Sequence, residues 1–182
     1  MVMNIDKVLF GCLFTSTALF AQIQSAYTKS DHKSCKIIQS HHNGYSSVSV
    51  CPGYAGIKVE ISEGDIRQDM TLVRKGKRYD LHFMDKISRA FSFFGETIEW
   101  RFAKEKPNAP IAMISRYVAA DNHVDGLQKD VSYLVVTKIT DREMCIVGKV
   151  YPGKNQNVEA REMADKAKMM TCVKDKQIKE KK

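Results

Sequence analysis

Four cysteines constrain this chain more than any other feature. Cys35, Cys51, Cys145 and Cys172 all lie beyond the N-terminal segment, and their number is even. Whether they pair depends on compartment, because thiols stay reduced in the cytosol and oxidise outside it. The N-terminus bears on that question. MVMNIDK is a short, weakly basic start, VLFGCLFTSTALF is an apolar run, and AQIQSAYTKSDHKS is polar with small residues. This is the order of a secretory signal peptide. The run from Val8 to Phe20 falls short of the roughly 20 apolar residues that a bilayer core requires. Residues 1–21 are therefore expected to be removed, with cleavage after Ala21 or, since Leu19 is bulky for its position, after Ala26. Leu9-Phe10-Gly11-Cys12 resembles a lipoprotein box, but most of the apolar run follows Cys12 instead of preceding it. Cys12 then leaves with the signal, the location is periplasmic or secreted, and the four remaining cysteines form two disulfides.

Four cysteines allow three pairings, and spacing alone does not choose among them. Local geometry favours one. Between Cys35 and Cys51 runs KIIQSHHNGYSSVSV, with a turn signal at Asn43-Gly44. A three-residue loop at 42–44 sets His41 against Tyr45, Ile37 against Ser49 and Cys35 against Cys51, within bridging range. A two-residue Asn43-Gly44 loop would slip the register by one. After Cys51, Pro52-Gly53 reads as the chain reversal and Gly56 as a bulge or close backbone approach.

Period-two alternation dominates the middle of the chain. Ile57, Val59 and Ile61 alternate with Lys58 and Glu60. Glu63-Gly64-Asp65 reads as a turn, and 66–84 reads as a hairpin about Lys75-Gly76-Lys77, with Tyr79, Leu81 and Phe83 on its second strand. Further strands are expected at 97–102, 111–118, 132–139 and 145–151, separated by polar turns that include KEKPNAP and AADNHVDGLQKD. Only the last segment changes period. From Asn157, a suitable N-cap, Ala160, Met163, Ala164, Ala167 and Met170 recur at helical spacing, ending near Met170 or Thr171 if Cys172 is to reach Cys145. The expected fold is α+β, mainly antiparallel β as a sandwich or partly open barrel, with one C-terminal helix packed on the sheet. Residues 22–173 form one disulfide-stapled domain and 174–182 a lysine-rich disordered tail.

The formal net charge is +8, and the tail KDKQIKEKK carries five lysines against Asp175 and Glu180. The plain reading is a solvated, frayed terminus; the sharper one is attraction to anionic envelope components, which allows peripheral membrane contact. An exported chain without interleaved basic and aromatic motifs is not expected to bind nucleic acid.

Each candidate for chemistry has a plainer structural reading. Cys51 with His41 or His42 has the elements of a thiol nucleophile, but pairing removes the thiol. Gly53 and Gly56 are followed by a strand, where a phosphate loop requires a helix N-terminus. Asp31, His32, His41 and His42 form the histidine-rich neighbourhood, yet adjacent His41 and His42 point to opposite faces of an extended chain. Glu63 with Asp65, or Glu96 with Glu99, are the acid-base candidates for a hydrolase, though no spacing singles them out. Phe91, Phe93, Phe94 and Trp100 line either a ligand groove or the core. No catalytic, cofactor or metal residue is assigned. The expected function is a non-enzymatic binding or envelope-associated protein. The alternatives are a cell-envelope hydrolase, or an inhibitor of a secreted enzyme that presents Tyr54 on a projecting 51–56 loop.

CPGYAG at 51–56, SEGDIR at 62–67, FGETIEWR at 94–101, APIA at 109–112 and AREMAD at 160–165 together resemble a family of small, uncharacterised exported proteins of Gram-negative bacteria. The resemblance spans Cys35 to Cys172 and implies periplasmic export and a helix at the end of the chain. It brings no activity, cofactor or catalytic residue, and the lysine tail is longer than the group leads one to expect.

Overall fold

The alternation from Ile57 onward folds as a meander of tight hairpins. In a computed structural model, which describes residues 22–41, 45–124 and 127–174, the strands are β1 (Ile23–Lys29), β2 (Lys36–Ser40), β3 (Ser46–Tyr54), β4 (Ile57–Gly64), β5 (Arg67–Arg74), β6 (Lys77–Asp80), β7 (Ser92–Ala103), β8 (Ala112–Val124), β9 (Leu127–Ile139) and β10 (Met144–Val150). A four-residue helix, α1 (Phe83–Lys86), follows β6, and α2 (Gln156–Asp165) with a 3-10 turn (Ala167–Met169) follows β10. The expected signal at 1–21, the loop positions 42–44 and the tail beyond Lys174 lie outside the described residues.

All strands belong to one mixed sheet that does not close into a barrel, and α2 packs on it. The sheet has two antiparallel halves. Strands β2 to β6 pair in sequence, while β1, β7, β8, β9 and β10 form the other half. A single parallel bridge, Arg67 with Ser92, joins β5 to β7. Beyond that seam the strands part, because β6 takes the rest of the edge of β5 and β1 takes that of β7. At the seam Ile66 holds a left-handed φ of 57°, unfavourable for a β-branched residue, while its carbonyl accepts the Ser92 N–H at 3.0 Å.

Alternation decides which side chains meet. Ile57, Val59, Ile61, Met70 and Leu72 of one half share a core with Ile98, Trp100, Met113, Tyr117, Val135 and Ile146 of the other. The opposite face of the second half carries Ala112, Ile114, Leu134, Val136 and Val147, which meet Ala160, Ala164 and Ala167. Strands β8 and β9 are thus buried on both faces, which explains their near-continuous apolar sequence.

Both disulfides form as Cys35–Cys51 and Cys145–Cys172. Ile37 faces Ser49, as the hairpin reading requires, but a bulge after Ile37 brings Gln39 opposite Val48, and the His41 N–H bonds the Ser46 carbonyl instead of facing Tyr45. The Cys51 turn is placed differently from expectation. Pro52 and Gly53 lie inside β3 at a bulge, and the reversal is Ala55-Gly56, with φ values of 51° and 76°. Two successive positive φ values suit a two-residue hairpin whose twist matches its strands. The next reversal is likewise Asp65-Ile66, one residue beyond the expected turn.

Other departures have local causes. The chain leaves the sheet after Asp80, since His82 turns left-handed and the Asp69 carboxylate accepts the N–H of Phe83 at 2.9 Å. Phe83 packs against Phe94 and Tyr117 instead of continuing a strand. Much of AADNHVDGLQKD extends the β8–β9 pairing, with Asn122 opposite Lys129. Part of the polar segment that follows the apolar run forms β1, whose Thr28 hydroxyl accepts the Trp100 indole N–H at 2.9 Å. Helix α2 begins at Gln156, one residue before the expected cap, and gives way by Ala167 to the 3-10 turn.

Candidate functional site

Where the halves part beside the seam, the surface opens into a groove of about 450 Å³. Its walls come from the end of β1 and the turn after it (Ser30, Asp31, His32), from β2 and β3 (Ile37, Ser47, Ser49), from β4 and β5 (Ile61, Glu63, Gln68) and from β7 (Phe93 to Glu96). The Cys35–Cys51 disulfide also lines it. That bond ties the connection leaving β1 to β3, so one covalent link fixes the two sides relative to each other. Closing a loop of this size contributes about 3 kcal/mol in the chain-entropy model.

Hydrogen bonds hold the groove open in a definite shape. Ser30 N–H donates to the Glu96 carbonyl at 2.9 Å, and its hydroxyl to the Gly95 carbonyl at 2.7 Å. Gln68 bridges the seam: its Oε1 accepts the Phe94 N–H at 2.8 Å, and its Nε2 donates to Glu63 Oε2 at 2.7 Å. The Asp31 carboxylate caps the turn after β1, accepting the N–H groups of Ser34 at 2.8 Å and Lys33 at 3.0 Å. Those bonds, Ser34 foremost, hold its pKa below the ordinary aspartate range.

The groove departs from the positive charge of the chain as a whole. Asp31, Glu63 and Glu96 line it, and among the described residues no lysine or arginine does, in a chain of net charge +8. Ile37, Ile61, Phe93 and Phe94 supply the apolar surface. Phe93 and Ile37 are 50% and 63% exposed, so large apolar side chains stand open to solvent at the rim.

The carboxylates suggested in sequence order are regrouped. Glu63 enters the groove, but Asp65 turns away to pair with Arg67. Glu96 enters the groove, while Glu99 lies on the opposite face under α2. One member of each sequence pair therefore meets at the same site, across strands that no spacing rule connects. The aromatics divide too: Trp100 is core, Phe94 is core with an edge on the groove, Phe93 lines the groove, and Phe91 lies beneath the Arg67 guanidinium at 4.8 Å.

Other suggested sites resolve structurally. Cys51 carries no thiol, and the loop at 51–56 does not project: Tyr54 stacks on Phe102 and Trp100 and donates its hydroxyl to the Pro107 carbonyl at 2.8 Å. His32 lines the groove, whereas His42 lies outside the described residues. Among the described residues, Glu143, Cys145 and Cys172 come together with metal-like spacing, but both sulfurs are bonded to each other.

On the far face, Glu99 accepts from Arg161 Nε at 2.8 Å and from Ser25 at 2.6 Å, and Arg101 grips Asp165 with two bonds of 2.8 and 2.9 Å. Burial works to raise the Glu99 pKa, but the bonds from Arg161 and Ser25 and the charges of Arg161 and Arg101 outweigh it, leaving it lowered. This network fastens α2 to β1 and β7.

The fold and groove together define a disulfide-stapled β protein with a ligand-sized cleft between the halves of its sheet. Comparison with protein-family models, with curated proteins and with solved structures finds no match. The two disulfides indicate an oxidising, non-cytoplasmic setting. Among the described residues no helix is long and apolar enough to cross a membrane.

Proposed function

We propose that this chain is a non-enzymatic periplasmic or secreted binding protein of a Gram-negative envelope, and that the groove takes an extended ligand bearing cationic and apolar groups. The observation that carries this reading is the inversion of charge at the groove: three carboxylates and exposed apolar side chains, without a lysine or arginine among the described residues, on a strongly basic chain. Such a lining repels the polyanions that the rest of the surface attracts and selects positive groups flanked by aromatic or aliphatic ones. Export with cleavage after Ala21 fits the same picture. A cut after Ala26 would remove Ile23 to Ala26 from β1, and with them Ser25 from the Glu99 network.

The test is nuclear magnetic resonance titration of the mature protein with two short peptides, one alternating lysine and phenylalanine, the other glutamate and phenylalanine. The lysine peptide is expected to shift amides at 30–37, 47–51, 61–68 and 93–96, and Glu63→Lys with Glu96→Lys to abolish this. Equal shifts from the acidic peptide, or none in the groove, would overturn the proposal.

A hydrolase reading draws on one observation, the meeting of Glu63 and Glu96 in one groove. An acid catalyst at neutral pH needs a carboxyl kept protonated by burial, and Glu96 is exposed. The site is better built for binding than for proton transfer.

A further inference from the structure

Arg116 leaves β8 on the face covered by α2, and the fold is shaped around it. Its stem lies across Gly95, where an added Cβ would come within 2.9 Å of the Arg116 Cβ. Nη1 donates to Ser132 Oγ at 2.6 Å and to Gln156 Oε1 at 3.3 Å. Gln156 is buried and is itself fixed, its Nε2 donating to the carbonyls of Ser132 at 2.7 Å and Val150 at 3.2 Å. The guanidinium is therefore held at one corner, while Nε and Nη2 have no partner among the described residues.

Charge on this face does not balance. Arg101 has Asp165 and Arg161 has Glu99. Arg116 has no carboxylate among the described residues, and Lys29 stands nearby with its Nζ 3.4 Å from Thr97 Oγ1. Beside Arg116 lies a cavity of about 230 Å³, whose polar wall is Tyr27, Thr97, Glu99, Asn157 and Arg161, the Glu99 carboxylate being already taken up by Arg161 and Ser25. The first turn of α2 borders it, and the Asn155 side chain makes no cap bond to that turn. A half-buried guanidinium with no carboxylate paired to it among the described residues is costly, and its free edge presents the planar fork that matches an oxyanion. Uncapped N–H groups at a helix start favour the same charge.

We propose that this cavity binds a phosphate group, with Arg116 as its principal ligand and Asn157, Thr97 and Arg161 around it. The volume is below the roughly 300 Å³ at which pockets for drug-sized ligands begin, so it receives a compact group, either the free ion or the phosphate end of a larger molecule. It lies on the opposite face of the second half-sheet from the shared core and does not depend on the groove reading.

The test titrates the full mature protein at low ionic strength with inorganic phosphate and, separately, with a short-chain phosphatidic acid below its micellar concentration. Arginine side-chain and amide resonances are followed. Both the Arg116 Nε–H resonance and the Asn157 amide are expected to shift and saturate, with at least tenfold weaker binding in Arg116→Gln. Arg116→Lys should recover part of that loss. Tighter, Arg116-dependent binding of the lipid would identify a headgroup as the source of the phosphate, and equal affinity would identify the free ion. Shifts confined to surface lysines, or unchanged affinity in a folded Arg116→Gln, would overturn the site. Should that variant fail to fold, a wild-type Arg116 resonance unmoved by phosphate overturns it as well.

Discussion

Gly53 and Gly56 exchange the roles that their sequence suggests, and the exchange is measurable. A Cβ at Gly53 would sit 1.7 Å from the Ile57 carbonyl oxygen, a backbone atom that cannot yield without opening the β3–β4 hairpin. At Gly56 nothing lies within 4 Å, and only the φ of 76° opposes a side chain. Gly53→Ala is therefore expected to cost about 3 kcal/mol, in the upper range for overpacking. Gly56→Ala should cost about 1 kcal/mol, the penalty of a left-handed residue with a side chain. Denaturant unfolding of the two variants checks the order, and a costlier Gly56→Ala would restore the turn to Pro52-Gly53. The dipeptide Pro-Gly was misleading because it marks both turns and bulges. The positive φ pair that separates the two cases is a property of the register between β3 and β4, not of the local sequence.

Among the elements, α2 depends most on charge. Its buried apolar residues are Ala160 and Ala164, small side chains that bury little area beside the buried Gln156, so the Glu99–Arg161 and Arg101–Asp165 contacts carry much of its attachment. The Glu99 pKa is lowered in the folded state relative to an ordinary value near 4.5. The sign follows: the stability it contributes is fully present above that value and is lost as pH falls below it, through the lower folded pKa. Glu99→Gln is expected to cost about 2 kcal/mol at pH 7, because it strips the charge from a bonded, nearly buried partner. Its stability should also fall less steeply than wild type below about pH 4.5, as followed by circular dichroism during denaturant unfolding; parallel curves would assign the clamp elsewhere. The helix itself was legible from its 3.6-residue spacing, as were β4, β5 and the core of β7 to β10 from alternation or apolar runs. Strand β1 was not, because QSAYTK is polar on both faces: Ser25 bonds the charged Glu99 on one face, and Thr28 meets the core on the other through a hydroxyl that accepts the Trp100 indole N–H. The C-terminal disulfide was legible because the hairpin paired Cys35 with Cys51 and left Cys145 to Cys172, and it in turn required the helix to end near Met170 or Thr171.

At the scale of the whole molecule, the candidate site was the least legible feature, since it is assembled from segments near residues 31, 63, 68 and 95 that only the seam brings together. Spacing can pair Glu63 with Asp65, but it cannot show that Gln68 and a single bridge at Arg67 and Ser92 turn Glu63 toward Glu96. Charge is distributed on the same long scale. With three carboxylates concentrated in the groove, the positive excess lies elsewhere, and a local +3 sits in residues 174–182. A cationic ligand at the groove carboxylates and an anionic surface at the tail lysines would then be compatible partners, because groups of opposite sign recognise them. The mature protein is expected to bind vesicles containing phosphatidylglycerol in low salt and to release them by roughly 0.5 M salt, where the screening length falls to a few ångströms. Deleting residues 174–182 should weaken that binding at least tenfold while leaving the lysine–phenylalanine peptide titration unchanged. Co-sedimentation across a salt series measures the first effect. Vesicle binding that survives both the deletion and high salt would place the membrane contact on the exposed apolar rim of Ile37 and Phe93 instead, making the groove itself the surface that meets the envelope.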